Sequence, residues 1–192
     1  MNPAQYIRNQ IGGRAKRQRS LEMLLSASDL SGRGWRTLGE GTRRMGLGNR
    51  LGDISRRCRE SGEYMALRRY RQDDPPQGLF IQVGPYPSEV DAEQAISIAG
   101  TSDNGMRWLG VSRLAERTVT GIDVPNVDDV RTWEYHTQRD ELRGFQRFIQ
   151  GRVDNVVFVV SGSASEPGWA WDDLVTIASA QARKIGAMLA TA

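Results

Sequence analysis

The sequence feature that most constrains the fold is an unbroken β-branched run, VVFVV at residues 156–160. Successive side chains of a strand point to opposite faces of a sheet, so a strand that is apolar at every position needs cover on both faces. Residues 144–150 also have a strand pattern, and the link at residues 151–155 is typical of a hairpin turn. The run therefore predicts a central strand in a sheet with helices packed on it.

The rest of the pattern predicts an α+β fold with a mostly antiparallel sheet. Residues 63–71 and 79–83 alternate in polarity and predict a hairpin. Ser88, followed three residues later by Asp91, predicts the start of a mid-chain helix. Residues 169–189 predict a long amphipathic C-terminal helix that packs on the sheet. Further strands are predicted at residues 35–38, 107–112, 116–124 and 130–138.

The chain is predicted to consist of a mobile basic arm, residues 1–20, and a single α+β domain, residues 21–192. The arm is polar and arginine-rich, and the Gly-Gly pair at positions 12–13 is expected to break any helix there. Residues 39–62 contain six glycines and are expected to be largely loop, with a short helix near residues 53–60. A length of 192 residues also favours one domain.

Composition excludes several classes of protein. The single cysteine, Cys58, excludes an internal disulfide, and the chain has no Cys/His set for structural zinc. No apolar run approaches the roughly 20 residues that span a bilayer. The charged N-terminal residues are not followed by the apolar stretch of a secretory signal. We therefore expect a cytoplasmic protein of unknown oligomeric state.

Positive charge is concentrated in the first part of the chain. Residues 1–71 carry 16 basic and 6 acidic side chains, whereas residues 72–192 carry 10 basic and 17 acidic ones. The first part could attract an anionic partner, or the two parts could neutralise each other on folding. The candidate residues for an anionic partner are Arg14, Arg17, Arg19, Arg56, Arg57, Arg68, Arg71, Tyr64 and Tyr70.

The alternation at residues 64–71 suggests how a nucleic acid would bind. Tyr64, Arg68 and Tyr70 share one face of the predicted strand, so the tyrosines could stack on bases while arginines hold phosphates. The signature motifs of an RNA-recognition sheet are absent. In the alternative interpretation, the same tyrosines pack under a helix with the arginine stems over them.

No set of residues assembles a recognisable active site. His136 is the one histidine; Glu134 could raise its pKa, but no serine-nucleophile motif accompanies it. The arginines around Cys58 would lower the thiol pKa, but an unreactive thiol is the other interpretation. Residues 46–52 have a glycine spacing that is not that of a nucleotide loop, and the adjacent aspartate pairs point apart. We predict no catalytic residue, cofactor or metal, and hence no enzyme.

Two tryptophans open the C-terminal helix. Trp169 and Trp171 are candidates for a contact surface. The other interpretation is structural, with at least one of them buried against the sheet.

Two segments resemble known actinobacterial proteins. LLSASDL at residues 24–30, followed by Gly34 and Trp35, resembles the opening LLS-x-x-DLPG-x-GW of small actinobacterial proteins. The hairpin ending in the VVFVV run, followed by a Trp-led amphipathic helix, resembles the end of actinobacterial kinase sensor domains and lipoproteins of PsbP-like fold. Those relatives are extracytoplasmic and often disulfide-bonded. The resemblance implies a non-enzymatic binding domain with an antiparallel sheet between helices.

These observations favour a non-catalytic binding or interaction domain. It would bind a protein or a small ligand through the sheet face or through the Gly/Arg-rich residues 39–62. The alternative is an arginine-rich nucleic-acid-binding protein that uses residues 1–20 and 56–71.

Overall fold

The computed structural model describes residues 3–30, 34–46, 52–74, 76–99, 112–139, 142–165 and 169–191. The helices in these ranges are α1 (Pro3–Glu22), a short 3-10 helix (Ala27–Leu30), α2 (Gly52–Ser61), α3 (Glu89–Ala99) and α4 (Trp171–Leu189). The strands are β1 (Arg36–Arg44), β2 (Tyr64–Asp73), β3 (Pro76–Pro85), β4 (Ser112–Val119), β5 (Asp129–Arg139), β6 (Leu142–Val153) and β7 (Val156–Ser165).

The seven strands of the described ranges form one antiparallel sheet in the order β1-β2-β3-β7-β6-β5-β4. The predicted α+β class is confirmed. The β-branched run lies in β7, which is the middle strand and pairs with β3 and β6. Strand β1 forms one edge of the sheet and β4 the other.

The first face of the sheet carries the main core. Ile81 of β3 lies opposite Val160 of β7, which lies opposite Ile149 of β6, and all three side chains are fully buried. Helix α4 covers this face through Leu174, Ile177, Ala178, Ala182 and Ile185. Its apolar stripe is the one that the helical spacing predicts.

The end of α1 is fixed to the same face by polar groups. Leu25 N–H donates to the Gln181 Oε1 atom of α4 (3.1 Å), and Gln181 Nε2 donates to Met23 O (2.6 Å). On the other side, Tyr70 and Arg68 of β2 both donate to Leu25 O. Because Met23 and Leu25 follow the last residue of α1, these backbone groups have no partner within the helix, and the bonds satisfy groups that would otherwise be buried unpaired.

Two expectations about local structure are wrong. The predicted helix break at positions 12–13 does not occur, because these glycines lie inside α1. Tertiary contacts outweigh the glycine penalty of about 1 kcal/mol: Lys16 Nζ donates to Glu63 Oε1 (2.6 Å), and Ser20 Oγ donates to Tyr64 O (2.7 Å). The division into an arm and a domain stays a prediction.

Residues 39–44 were expected to be loop and instead complete strand β1. Despite its glycines, this sequence forms a strand whose backbone pairs with β2 over its whole length, apart from a bulge at Leu38. The short helix near residues 53–60 is confirmed as α2. Residues 107–111, part of a predicted strand, lie outside the described ranges, and the strand predicted at 116–124 ends at Val119.

The second face is covered at its ends. Helix α3 packs over β5, β6 and β7, and Arg152 of β6 pairs with Glu89 of α3 (2.9 Å). Near the start of β2, Met65 packs against the buried Ile54 and Cys58 of α2. On β2 and β3, Leu67 and Phe80 of this face are half-buried and Arg69 is exposed.

Gln181 is fully buried, and we expect its replacement by leucine to be strongly destabilising. Gln181→Leu keeps a similar volume but leaves Leu25 N–H and Met23 O without a partner, which should lower the free energy of unfolding by about 2–5 kcal/mol. The matched control is Gly186→Ala on the same helix, where an added Cβ meets no atom within 4 Å. It should be neutral or stabilising by up to about 1 kcal/mol. Urea unfolding followed by circular dichroism compares the two; equal stabilities would contradict this account of Gln181.

Candidate functional site: the basic edge of the sheet

Strand β1 ends the sheet, and a row of its backbone groups has no partner among the residues that the structure describes. Met45 N–H donates to Glu63 O (2.9 Å), and these two residues lie opposite each other in the register that continues from Arg44 and Tyr64. Hydrogen-bonded and non-hydrogen-bonded pairs alternate along an antiparallel ladder. The backbone N–H and C=O groups of Glu40, Thr42 and Arg44 therefore point away from β2, toward the free edge.

Four arginines lie along this edge on the second face of the sheet. Arg36 of β1 is directly opposite Arg71 of β2, Arg69 is opposite Gly39, and Arg43 is opposite Met65. All four arginine side chains are exposed. We call strand β1 together with Arg36, Arg43, Arg69 and Arg71 the basic edge.

The positive charge of the basic edge is only partly balanced. Arg36 and Arg71 share one carboxylate, that of Asp73, at 3.0 Å each. The side chains of Arg43 and Arg69 make no hydrogen bond or ion pair with any residue in the described part of the chain. Exposed ion pairs are weak and screened by salt, so the edge keeps a positive surplus that an anion can use.

Two glycines leave the backbone of the edge accessible on the second face. A Cβ added at Gly41 would meet no atom within 4 Å, and one at Gly39 would lie 3.7 Å from Arg69 Nη2. The half-buried Leu67 lies opposite Gly41. Between the two unpaired arginines the surface is therefore an open strip of backbone beside an apolar side chain. The bulged Leu38 is 56% exposed at the far end.

The predicted stacking platform on β2 does not exist. Tyr70 is 1% exposed, and its hydroxyl donates to Leu25 O, so it cannot stack on a base. Arg68 pairs with Glu40 (2.6 Å) and donates to the same carbonyl. Tyr64 lies under α1, where Arg17 donates to its hydroxyl (3.2 Å) and covers its ring (4.8 Å). The alternative interpretation, tyrosines packed under a helix, is confirmed.

The remaining predicted arginines are dispersed. Arg57 of α2 is paired with Asp91 of α3, and this hydrogen bond lowers the pKa of the Asp91 carboxyl. Arg56 is exposed and paired with Asp53 at 3.3 Å. Arg14 and Arg19 are exposed on α1. Of the predicted candidates, only Arg71 belongs to the basic edge.

The two tryptophans have different environments. Trp169 is buried and stacks on Trp35, with ring centroids 5.5 Å apart. This stacking requires Gly162, because a Cβ there would lie 2.7 Å from the Trp169 ring. Trp171 is half-buried beneath the guanidinium of Arg147 (5.1 Å). The structural interpretation is therefore confirmed for Trp169, which is not available as a contact surface.

His136 and Cys58 do not form a catalytic pair. His136 lies 3.8 Å from the buried carboxylate of Glu134, which also pairs with Arg147 at 3.2 Å. Cys58 lies on the buried side of α2, and burial raises the pKa of its thiol to about 11, with Asp91 and Glu63 acting in the same direction. The expected lowering of this pKa by neighbouring arginines is wrong, because burial disfavours the thiolate more than Arg57 favours it.

A cavity of about 360 Å³ lies where β4 and β5 meet, lined by residues 118–122 and 130–133. The Trp133 Nε1 atom is buried and has no hydrogen-bond partner in the described ranges. Within those ranges no three His, Cys, Asp or Glu side chains gather as a metal site would need. None of the helices searched there is long and apolar enough to span a bilayer.

Comparison with known proteins identifies the fold. No family model and no curated protein sequence matches the chain. The extracellular domain of PknH from Mycobacterium tuberculosis is similar in structure, with a TM-score of 0.54 and 13% identity over 89% of this chain and 96% of that one. The two chains share a fold. The Rv0999 ortholog from Mycobacterium smegmatis aligns with a TM-score of 0.49 and 10% identity over 86% of this chain and 96% of that one.

The predicted resemblance to extracytoplasmic domains is thus supported at the level of an α/β domain; the PsbP-like assignment stays a prediction. Sequence reasoning missed Arg36, Arg43 and Arg69. For β1, the sequence signal was the alternation within residues 39–44, GEGTRR. It is typical of a strand, but its two glycines led to the prediction of a loop.

We expect Cys58 to be unreactive in the folded protein. Because burial raises its pKa to about 11, iodoacetamide at pH 8 should label the native chain far more slowly than the chain unfolded in guanidinium chloride. The unfolded thiol ionises from about pH 8.5, so its contribution to stability is lost as pH rises toward 11. The free energy of unfolding should therefore fall more steeply over this interval in the wild type than in Cys58→Ala. Equal labelling rates in the native and unfolded chains would contradict this assignment.

Proposed function

We propose that the chain is a non-catalytic interaction domain that binds an anionic protein partner through the basic edge. The observation that carries this proposal is that the outward backbone groups of the edge strand β1 lie beside two exposed arginines, Arg43 of β1 and Arg69 of β2, that have no acidic partner in the described part of the chain. Unpaired exposed cations raise the local concentration of anionic partners, and free strand edges bind extended segments.

The fold supports this proposal. The extracellular domain of PknH has a similar fold, and a shared fold does not by itself assign a function. An α+β domain of this kind nevertheless provides what a binding module needs, since its core lies on one face of the sheet and one edge is open. The PsbP-like relationship and the absence of enzymatic activity remain parts of the proposal.

A nucleic acid is the second candidate partner because Arg14, Arg17 and Arg19 lie on α1, and Arg14 and Arg19 are exposed. The described residues provide fewer contacts for a nucleic acid than the sequence suggests. Tyr70 is buried, Arg68 is used internally, and the ring of Tyr64 is covered by Arg17. Without exposed aromatic rings beside the arginines, phosphate contacts alone would give weak and sequence-independent affinity.

We also propose, from the sequence, that the protein is cytoplasmic. The domain of PknH with the similar fold is extracellular, so the compartment needs its own measurement. Immunoblots of separated cytosol, membrane and culture medium of the source cells provide it. Recovery from the cytosol supports the proposal, and recovery from the membrane or the medium contradicts it.

The proposed function predicts that capture of a partner depends on the basic edge. The full chain, tagged, is used to isolate proteins from host lysate with and without nuclease treatment, and the wild type is compared with the double variant Arg43→Glu, Arg69→Glu. Reversing two unpaired charges should remove the partner from the eluate, as measured by quantitative mass spectrometry, since like charges now face each other.

The control is the double variant Arg56→Glu, Arg183→Glu, which changes the net charge equally at exposed positions outside the basic edge. It should retain the partner. A partner set that is the same for both variants would contradict the proposed site. Loss of all captured proteins on nuclease treatment would instead assign the arginines to nucleic acid.

A further inference from the structure

We infer that the basic edge takes an extended acidic segment as an additional strand beside β1, and that the segment carries two acidic side chains four residues apart with an apolar side chain midway between them. This inference rests on the proposed function and specifies its partner. It follows from the positions of three features of β1 and β2: outward backbone groups, unpaired arginines and glycines.

The backbone of β1 provides the pairing. Glu40, Thr42 and Arg44 each direct one N–H donor and one C=O acceptor to the free edge, as the Met45–Glu63 hydrogen bond and the register require. The stretch from Gly39 to Arg44 is regular, because the bulge lies before it, at Leu38. An incoming strand can therefore pair over this stretch without a break.

The side chains on the second face set the sequence preference. Arg43 lies at one end of the regular stretch, and Arg69, opposite Gly39, lies at the other. Four residues of strand separate these positions, about 13 Å. Acidic residues at positions i and i+4 of the incoming strand would project on the same face and reach one arginine each.

The residue at position i+2 of the incoming strand falls beside Gly41. The glycine has no side chain to fill the space, and an added Cβ there would meet no atom within 4 Å. The half-buried Leu67 lies opposite Gly41 on β2. An apolar side chain at i+2 can therefore cover Gly41 and contact Leu67, which adds a hydrophobic contribution between the two charged contacts.

Charge argues for an acidic partner rather than a second copy of the chain. If two copies paired edge to edge about Thr42, each Arg43 would lie opposite Gly41 of the other copy, and the two Arg43 side chains would be diagonal neighbours on one face. Both are without an acidic partner in the described part of the chain, so like charges would meet. Arginine on an edge strand is also a common device against self-association.

The test uses a capped peptide of about nine residues, mostly threonine and serine, with glutamate at the third and seventh positions and valine at the fifth. One control replaces both glutamates by glutamine. A second control keeps the glutamates but has N-methylated amides through its central residues, so it keeps the charge and cannot pair as a strand. Binding is measured by fluorescence polarisation at about 50 mM salt, where exposed charges are little screened.

We expect both control peptides to bind at least about tenfold more weakly than the parent peptide. Among protein variants, Thr42→Pro removes an outward N–H that β2 does not use, and should weaken binding about tenfold, whereas Thr42→Val keeps the N–H and should bind within about twofold of the wild type. If Thr42→Pro does not fold, the N-methylated peptide tests the same pairing on the unaltered chain.

Hydrogen exchange measured by NMR locates the strand. The bound peptide should protect the amides of Glu40, Thr42 and Arg44 and leave those of Gly41 and Arg43, which already face β2, unchanged. Protection elsewhere, equal binding of the glutamine or N-methylated peptide, or a concentration-dependent dimer formed through β1 would overturn the inference. Failure of all peptides while lysate capture still depends on Arg43 and Arg69 would overturn the strand inference and leave the proposed function standing. If neither the peptides nor the lysate capture depends on the basic edge, the strand inference and the proposed function are both contradicted.

Discussion

The arrangement of the helices on the sheet depends on the hydrogen bonds of the Leu25 backbone N–H and C=O. Its N–H is bound by Gln181 of α4, and its carbonyl is bound by Tyr70 and Arg68 of β2. Helix α1 thereby ends where α4 and the sheet meet, and none of these groups is left unpaired in the interior. Burial raises the pKa of Tyr70 to about 12, so the phenol remains a donor at every physiological pH. Because Tyr70 and Arg68 are needed here, neither is free to bind a ligand.

The need to pair polar groups where helices meet the sheet also explains where the charged side chains lie. Within the described ranges, Lys16, Arg68 and Arg57 are each paired with a carboxylate at the boundary between a helix and its neighbours. Only some of the ion pairs join a basic side chain of the first part of the chain to an acidic one of the second part; Arg57 with Asp91, and Arg36 and Arg71 with Asp73, do so. Arg43 and Arg69, whose side chains have no acidic partner in these ranges, lie at the sheet edge, whereas Arg14 and Arg19 are exposed on α1.

The sequence predicts the elements that have a strong periodic pattern. The central β7, the β2–β3 hairpin and the amphipathic α4 were predicted because most residues of their buried faces are apolar at the right spacing; Gln181 and Arg68 are polar exceptions. It does not predict α1, and it predicts β1 only as far as Leu38, because both elements contain two glycines and owe their conformation to tertiary contacts such as Lys16 with Glu63. The predicted stacking role of two tyrosines fails for the same reason. Tyr64 and Tyr70 look available in the sequence, and only the position of α1 shows that they are covered.

The strand order has a consequence for the newly made chain. Strand β3 is an apolar strand with two neighbours, and one of them, β7, begins at Val156. On the ribosome, the hairpin of β2 and β3 therefore emerges with an open apolar edge that stays open until more than seventy further residues have followed. Gln181, which holds the end of α1, emerges later still. Strands β4–β7 pair with their neighbours in sequence, so the N-terminal half must wait, exposed to chaperones and to other chains, for the C-terminal half to complete it.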